Sequence, residues 1–260
     1  MATYSSYKKI ATEEIINGSI PDDAFAYDAG KNFGVKWIFG SPGACTSGCC
    51  CLWTVPSNIS RLTFELWGAG GNGHGACSCD RCHHYQAAGG GAYNTKTIGS
   101  VPGCQYTVCA GGVFPCYSRE CEACNGCTSY VNGFNLSGFC ACGGVTGRAN
   151  TAWTTQCYGY NEFCTAPGAN NGDFSIAPMV PGWSDANLFC HCHNQETMSG
   201  TAPFIGTQVI GQIRECWIRC GCWTVPYGNG GQGAMSTYCG TSCCGQGGTG
   251  GSGLVKITYI

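Results

Sequence analysis

Residues 77–84 read CSCDRCHH, so three cysteines and two histidines stand within eight positions of a chain that holds five histidines in all. Thiolate and imidazole together make up the usual ligand set of tetrahedral zinc, and both also bind iron. A second cluster, Cys190, His191, Cys192 and His193, alternates the same two residue types. Cys77, Cys79, Cys82, His83 and His84, with Cys190, His191, Cys192 and His193, are therefore the candidate metal ligands. The competing reading is that the cysteines form disulfides and the histidines are polar loop residues. Neither segment has a standard finger spacing, so both readings stand. On either one the cluster serves the fold rather than a reaction.

Other chemical patterns dissolve on inspection. CEACNGC (121–127) has the spacing of the first three ligands of a bacterial ferredoxin cluster. That pattern continues, after three residues, with Cys and Pro, and here Val131 and Asn132 stand at those positions instead. GAGGNG (68–73) and GNGGQG (228–233) match G-x-G-x-x-G, but a dinucleotide site needs a helix next, and neither continuation is helical. No P-loop lysine, G-x-S-x-G elbow or H-E-x-x-H occurs. No cysteine stands out as a nucleophile, and the reading is that the chain is not an enzyme.

The elements that must position these residues are built from an unusual composition. Among 260 residues there are 43 glycines and 25 cysteines, with a formal net charge of -2 and only 10% charged residues. The 12 basic residues are scattered singly, whereas nucleic-acid binding needs them clustered, so nucleic acid is excluded as a partner. No stretch approaches membrane-spanning length. Each glycine in regular structure costs about 0.5–1 kcal/mol against alanine, so the chain has tens of kcal/mol to recover. Its 31 aromatic residues supply part of that. Sulfur cross-links, at about 2–4 kcal/mol per disulfide, supply more. Such cysteine content belongs in an oxidising compartment, yet MATYSSYKKIATEEIINGSI has no apolar signal region. Cytosolic metal binding or release by lysis would each resolve the conflict.

Cysteine spacing limits the bridges. Neighbours such as Cys49, Cys50 and Cys51, or Cys243 and Cys244, are too close to pair without strain and should reach different partners. The C-x-C pairs (77/79, 140/142, 190/192, 220/222) would stand about 6.5–7 Å apart if extended and are poorly placed to close on themselves. Distant segments should be stitched together. The cysteine count is odd, so at least one is unpaired, on a metal, or joined to another chain.

Residues 1–44 contain no cysteine and hold nine of the 26 charges, which suggests a docking arm, with ATEEIINGS as one helical turn. Residues 45–260 alternate strand-like runs with glycine tracts. LTFELW (62–67) and QYTV (105–108) alternate, and LVKITYI (254–260) is the clearest strand, with Val255, Ile257 and Tyr259 on one face. No window keeps a helical period, and the class is all-β or irregular. WTVP occurs at 53–56 and again at 223–226, too short a match to mark a duplication.

WTVPSNISRLTFELWGAGGNG, then AAGGGAY, VPGCQYTVCAGG and the ending GGTGGSGLVKITYI together resemble the glycine-rich virion proteins of tailed bacteriophages, especially tail-fibre and adhesin proteins. YKKIATEEIINGSI is similar to an N-terminal segment of fibre-like virion proteins, and the cysteine enrichment is similar to forms from marine cyanophages. The resemblance covers most of the chain. It implies a glycine-rich β-sandwich-like domain with polyglycine-II-like segments, cross-linked by disulfides or metal (zinc or iron). It also implies a structural protein of the particle (tail fibre, baseplate or head decoration) that reaches the virion from the host cytoplasm and is released by lysis. Implied partners are other virion proteins, further copies of the chain as a homo-oligomer, and, in an adhesin at the host-contacting tip, a cell-surface glycan. Tyr85, Tyr93, Trp153 and Tyr158, near glycine loops, are the aromatic residues that would stack on sugars if they are not core.

Overall fold

Alternation decides where strands form. In Arg61–Trp67, Leu62, Phe64 and Leu66 are fully buried, while Thr63 and Glu65 take the opposite side. In the computed structural model the described residues are 33–41, 49–73, 76–78, 83–84, 87–113, 124–146, 168–178, 183–184, 195–206, 210–213, 226–231, 235–236, 243–245 and 247–260. They are all-β, with no helix among them. Strands are numbered in chain order. One five-stranded sheet runs β1 (Gly34–Phe39), β17 (Leu254–Tyr259), β3 (Arg61–Trp67), β6 (Tyr93–Gly99), β11 (Phe174–Ile176). The other runs β10 (Ala169–Asn170), β9 (Leu136–Ala141), β8 (Ser129–Gly133), β7 (Gln105–Ala110), β2 (Cys49–Thr54). Smaller ladders join β12 (Trp183–Ser184), β13 (Gln195–Met198) and β14 (Ile210–Ile213), β15 (Met235–Ser236) with β5 (His83–His84), and β16 (Cys243–Gly245) with β4 (Ala76–Ser78). Every pairing is antiparallel.

The two large sheets bury one core between them. Leu62, Phe64, Leu66, Val255 and Ile257 come from the first, and Tyr106, Val108, Val131 and Phe139 from the second. Val255 and Ile257 share the inner face with Tyr259, as the alternation of 254–260 predicts. Aromatic rings pack together in and against this core. Trp53 lies edge-on to Phe64 at 6.4 Å and sits 5.8 Å from Tyr259, and Phe64 and Tyr106 are 5.3 Å apart. The first sheet draws its edge strand, β1, from inside the cysteine-free segment 1–44, because Ile38 fills a core position opposite Val255. Residues 1–32, with the helical turn read in them, lie outside the described residues.

The glycine tracts do something a sheet does not. Successive N–H groups of residues 68–73 donate to three different neighbours in rotation. Gly68 and Gly71 bond the carbonyls of Ala92 and Gly89 (2.9 and 3.0 Å), and Ala69 and Asn72 those of Cys127 and Cys124 (both 3.0 Å). Gly70 and Gly73 bond Gly251 and Gly248 (2.8 and 2.9 Å). A period of three is the turn of a polyproline-II helix, which has no internal hydrogen bonds and must satisfy its backbone sideways. Segment 87–92 behaves likewise, with Ala88 and Gly91 bonding Gly231 and Gly228 while Gly89 and Ala92 bond Val145 and Cys142. The tracts thus form a polyglycine-II-like lattice continuous with the sandwich. Spacing this tight has no room for side chains at the contacts: a methyl group on Gly70 would run into the Asn229 carbonyl.

Buried polar side chains fill the lattice's missing positions. Asn72 Oδ1 accepts from Gly250 N and Asn229 Oδ1 from Ala202 N, each at 2.9 Å. Ser129 Oγ, fully buried, accepts from Gly111 N (2.9 Å) and donates to Trp67 O (2.6 Å). Ser129→Ala would strand the Gly111 N–H away from water, while Trp67 O keeps its place in the β3–β17 ladder. It is expected to cost about 1–3 kcal/mol, the penalty for one buried unmet group. Urea unfolding of the variant checks this, and a cost below about 0.5 kcal/mol would refute the assigned role.

Candidate functional surface

The outer face of the first sheet carries several of the exposed apolar side chains. Because Ile38 points into the core, Val35, Trp37 and Phe39 on β1 point outward, and Trp37 and Phe39 are 42% and 47% exposed. Register carries this face across the sheet. Trp37 lies level with Lys256, Glu65, Thr95 and Phe174, and Phe39 with Leu254, Trp67, Tyr93 and Ile176. Phe39 packs on Tyr227 at 5.2 Å.

Charges on this face are paired. Lys256 Nζ bonds Glu65 Oε2 at 2.6 Å and lies 5.5 Å from the centre of the Trp37 ring. Tyr93 donates its hydroxyl to Glu65 Oε1 at 3.1 Å. Burial first, then the Glu65 carboxylate, push the Tyr93 phenol up to about 12. Asp173, at the far edge, is lowered chiefly by the Thr97 backbone N–H (2.8 Å), with Lys96 at 3.4 Å assisting.

One aromatic residue stands apart. Phe204 is 71% exposed with φ at +66°, a left-handed conformation that a bulky side chain rarely adopts. Its turn is held by Ile205 N to Pro203 O (2.9 Å), Gly206 N to Ala202 O (3.0 Å) and Trp67 Nε1 to Pro203 O (2.8 Å). The ring meets Tyr93 edge-on at 4.9 Å. Tyr93, an expected stacking residue, is itself buried between Trp67 and Phe204, so it supports the surface rather than presenting one. Tyr85, Trp153 and Tyr158 lie outside the described residues. The exposed aromatics Trp37, Phe39, Phe204 and Tyr227 were not singled out from sequence. Alternation in 35–39 was the available signal for the first two.

The expected metal ligands divide. Cys77 lies on β4, level with Cys244 on β16, and His84 and His83 form β5, level with Met235 and Ser236. The backbone thus brings residues 76–78 beside 243–245 and residues 83–84 beside 235–236. Cys79, Cys82, Cys190, His191, Cys192 and His193 lie outside the described residues. Among the described residues no three metal-ligating side chains converge.

Cysteines of the second sheet have other environments. Cys50 and Cys109, directly opposite on β2 and β7, form a disulfide, while Cys49 and Cys51 on either side do not join it. Burial pushes the Cys51 thiol up, with Cys49 adding to the shift and Lys36 opposing it. The Cys140 thiol is likewise raised by burial, then by Cys142, and accepts a contact from Asn170 Nδ2 at 3.8 Å. Raised thiols stay protonated at neutral pH and are weak nucleophiles. No helix among the described residues is long and apolar enough to cross a membrane. No protein-family model matches the chain, and no curated protein does.

Proposed function

We propose that the chain is a non-catalytic structural component of a bacteriophage virion, of the tail-fibre, baseplate or head-decoration class. The observation that carries this reading is the glycine lattice, in which hydrogen bonds leave each segment in three directions. Packing of that kind supplies a stiff block from backbone alone, which is what a load-bearing part needs, and it agrees with the resemblance of the glycine motifs to virion proteins. In this reading the part of the charged segment 1–44 that precedes β1 docks the protein to other virion proteins, β1 itself belonging to the sandwich. Copies of the chain associate, and the cysteine–histidine clusters brace the fold as zinc or iron ligands or as disulfide halves. Mass spectrometry of density-purified, salt-washed particles tests it. The protein is expected at a fixed ratio to the major capsid protein; presence in the lysate with absence from the particles would sink the proposal.

Phe204 favours a second reading, attachment to a host-surface glycan at the tip of the particle. An exposed ring held on a strained backbone and backed edge-on by Tyr93 suits stacking against a sugar. Here the purified protein should coat susceptible cells and block infection, and Phe204→Ala should lose both effects while melting like the parent.

A further inference from the structure

We propose that Cys77 and Cys244 form a second cross-strand disulfide, which closes the glycine lattice where it passes into β4 and β16. The placement rests on one register, the same on either side of residues 74–75 and 246. Leu62 lies opposite Tyr259 and Trp67 opposite Leu254 in the sandwich. The same alignment, without a residue of shift, continues through the Gly70 N to Gly251 O and Gly73 N to Gly248 O bonds. It then carries Ala76 opposite Gly245 and Cys77 opposite Cys244. The cysteine positions therefore agree with a register set independently by the core strands and the glycine bonds, and do not rest on the short β4–β16 pair alone.

Chemistry at such a position has a precedent within the molecule. Among the described strands, cysteine stands directly opposite cysteine twice, at Cys50 with Cys109 and at Cys77 with Cys244, and the first pair is bonded. Directly opposed antiparallel residues have Cα atoms about 4.5–5.5 Å apart, inside the roughly 4.4–6.8 Å range of disulfides. The adjacent Cys243 lies opposite Ser78, so the register offers a cysteine partner to Cys244 and none to Cys243. Closure is an exchange with a low-molecular-weight disulfide such as oxidised glutathione. One protein thiolate attacks it and releases glutathione; the second displaces another glutathione from the mixed disulfide. Both cysteine sulfurs are oxidised, and the oxidant is reduced to two thiols. The bond takes Cys77 out of any metal-ligand set.

A thiol count in denaturant with chelator, without reductant, tests the pairing on the full chain and does not depend on the variants' stability. If Cys77 and Cys244 are partners, Cys77→Ser and Cys244→Ser each add one free thiol per chain, and the double variant returns to the parent count. Losses of one, one and two would mean that both are free or metal-bound in the parent. Gains of one, one and two would mean that each bonds elsewhere. Either of these patterns overturns the proposal. Electron-transfer fragmentation of non-reduced peptides from the parent protein should show the Cys77–Cys244 link directly, and a different partner for either residue overturns it equally.

Discussion

Gly70→Ala is expected to destabilise the protein by about 3–6 kcal/mol, against a total of roughly 5–15 kcal/mol for a typical domain. The added methyl group meets the Asn229 carbonyl and the Gly230 amide, which are main-chain atoms with no rotamer to retreat into. Separating the segments breaks Gly70 N to Gly251 O (2.8 Å) and Gly251 N to Asn229 O (2.7 Å). Overpacking costs about 1–3 kcal/mol and each stranded backbone group roughly 1–3 kcal/mol more. Gly99→Ala is the matched control, since a Cβ there meets nothing and φ is not positive. It should stay within about 0.5 kcal/mol of the parent. Thermal melts and urea titrations of the pair decide the matter; equal effects would mean that close backbone approach does not hold the glycine segments together.

Removing the Cys50–Cys109 bridge should cost about 2–4 kcal/mol, mainly by freeing the unfolded chain over a sequence separation of 59. Cys50→Ala with Cys109→Ala is the appropriate pair, because Cys109 is buried and a serine hydroxyl there would need a new partner. β2 keeps its register on β7 through Cys49 to Thr54, so the folded structure should survive. Reductant should lower the melting temperature of the parent sharply and that of the double variant less. Whatever sensitivity the variant retains measures the other bridges. A parent that melts at the same temperature with and without reductant and chelator would overturn the idea that sulfur braces this fold.

The three strands read from alternation, 62–67, 105–108 and 254–260, appear as β3, β7 and β17 because one face of each is buried and the other is not. β1 was hidden by the opposite arrangement. Its apolar Val35, Trp37 and Phe39 face out, and its inner positions are Gly34, Lys36 and Ile38, so a charged, cysteine-free segment did not read as sheet. Glycine tracts were legible as unusual packing, but not their neighbours. Each tract contacts several others far away in sequence, and glycine has no side chain through which to encode a choice. Bridging between distant cysteines was foreseen from the strain of adjacent pairs, and Cys50–Cys109 is of that kind, yet spacing alone could not name the partner. For Tyr93 the core alternative holds: the strand period puts it on the outer face with Phe39, and Trp67 and Phe204 then cover it, a contact from residue 204 that proximity to glycine does not encode.

A sheet pulled at its border opens like a zipper, one rung at a time, and its weakest direction is the one that peels the outermost strand. The rotating bonds of residues 68–73 tie that segment to three others around its whole circumference. Force from any flank must shear several ties at once, and there is no selvage at which a tear can begin. The chain has in effect spun a short rope into one end of a woven cloth, and its tensile behaviour should be nearly the same from every side.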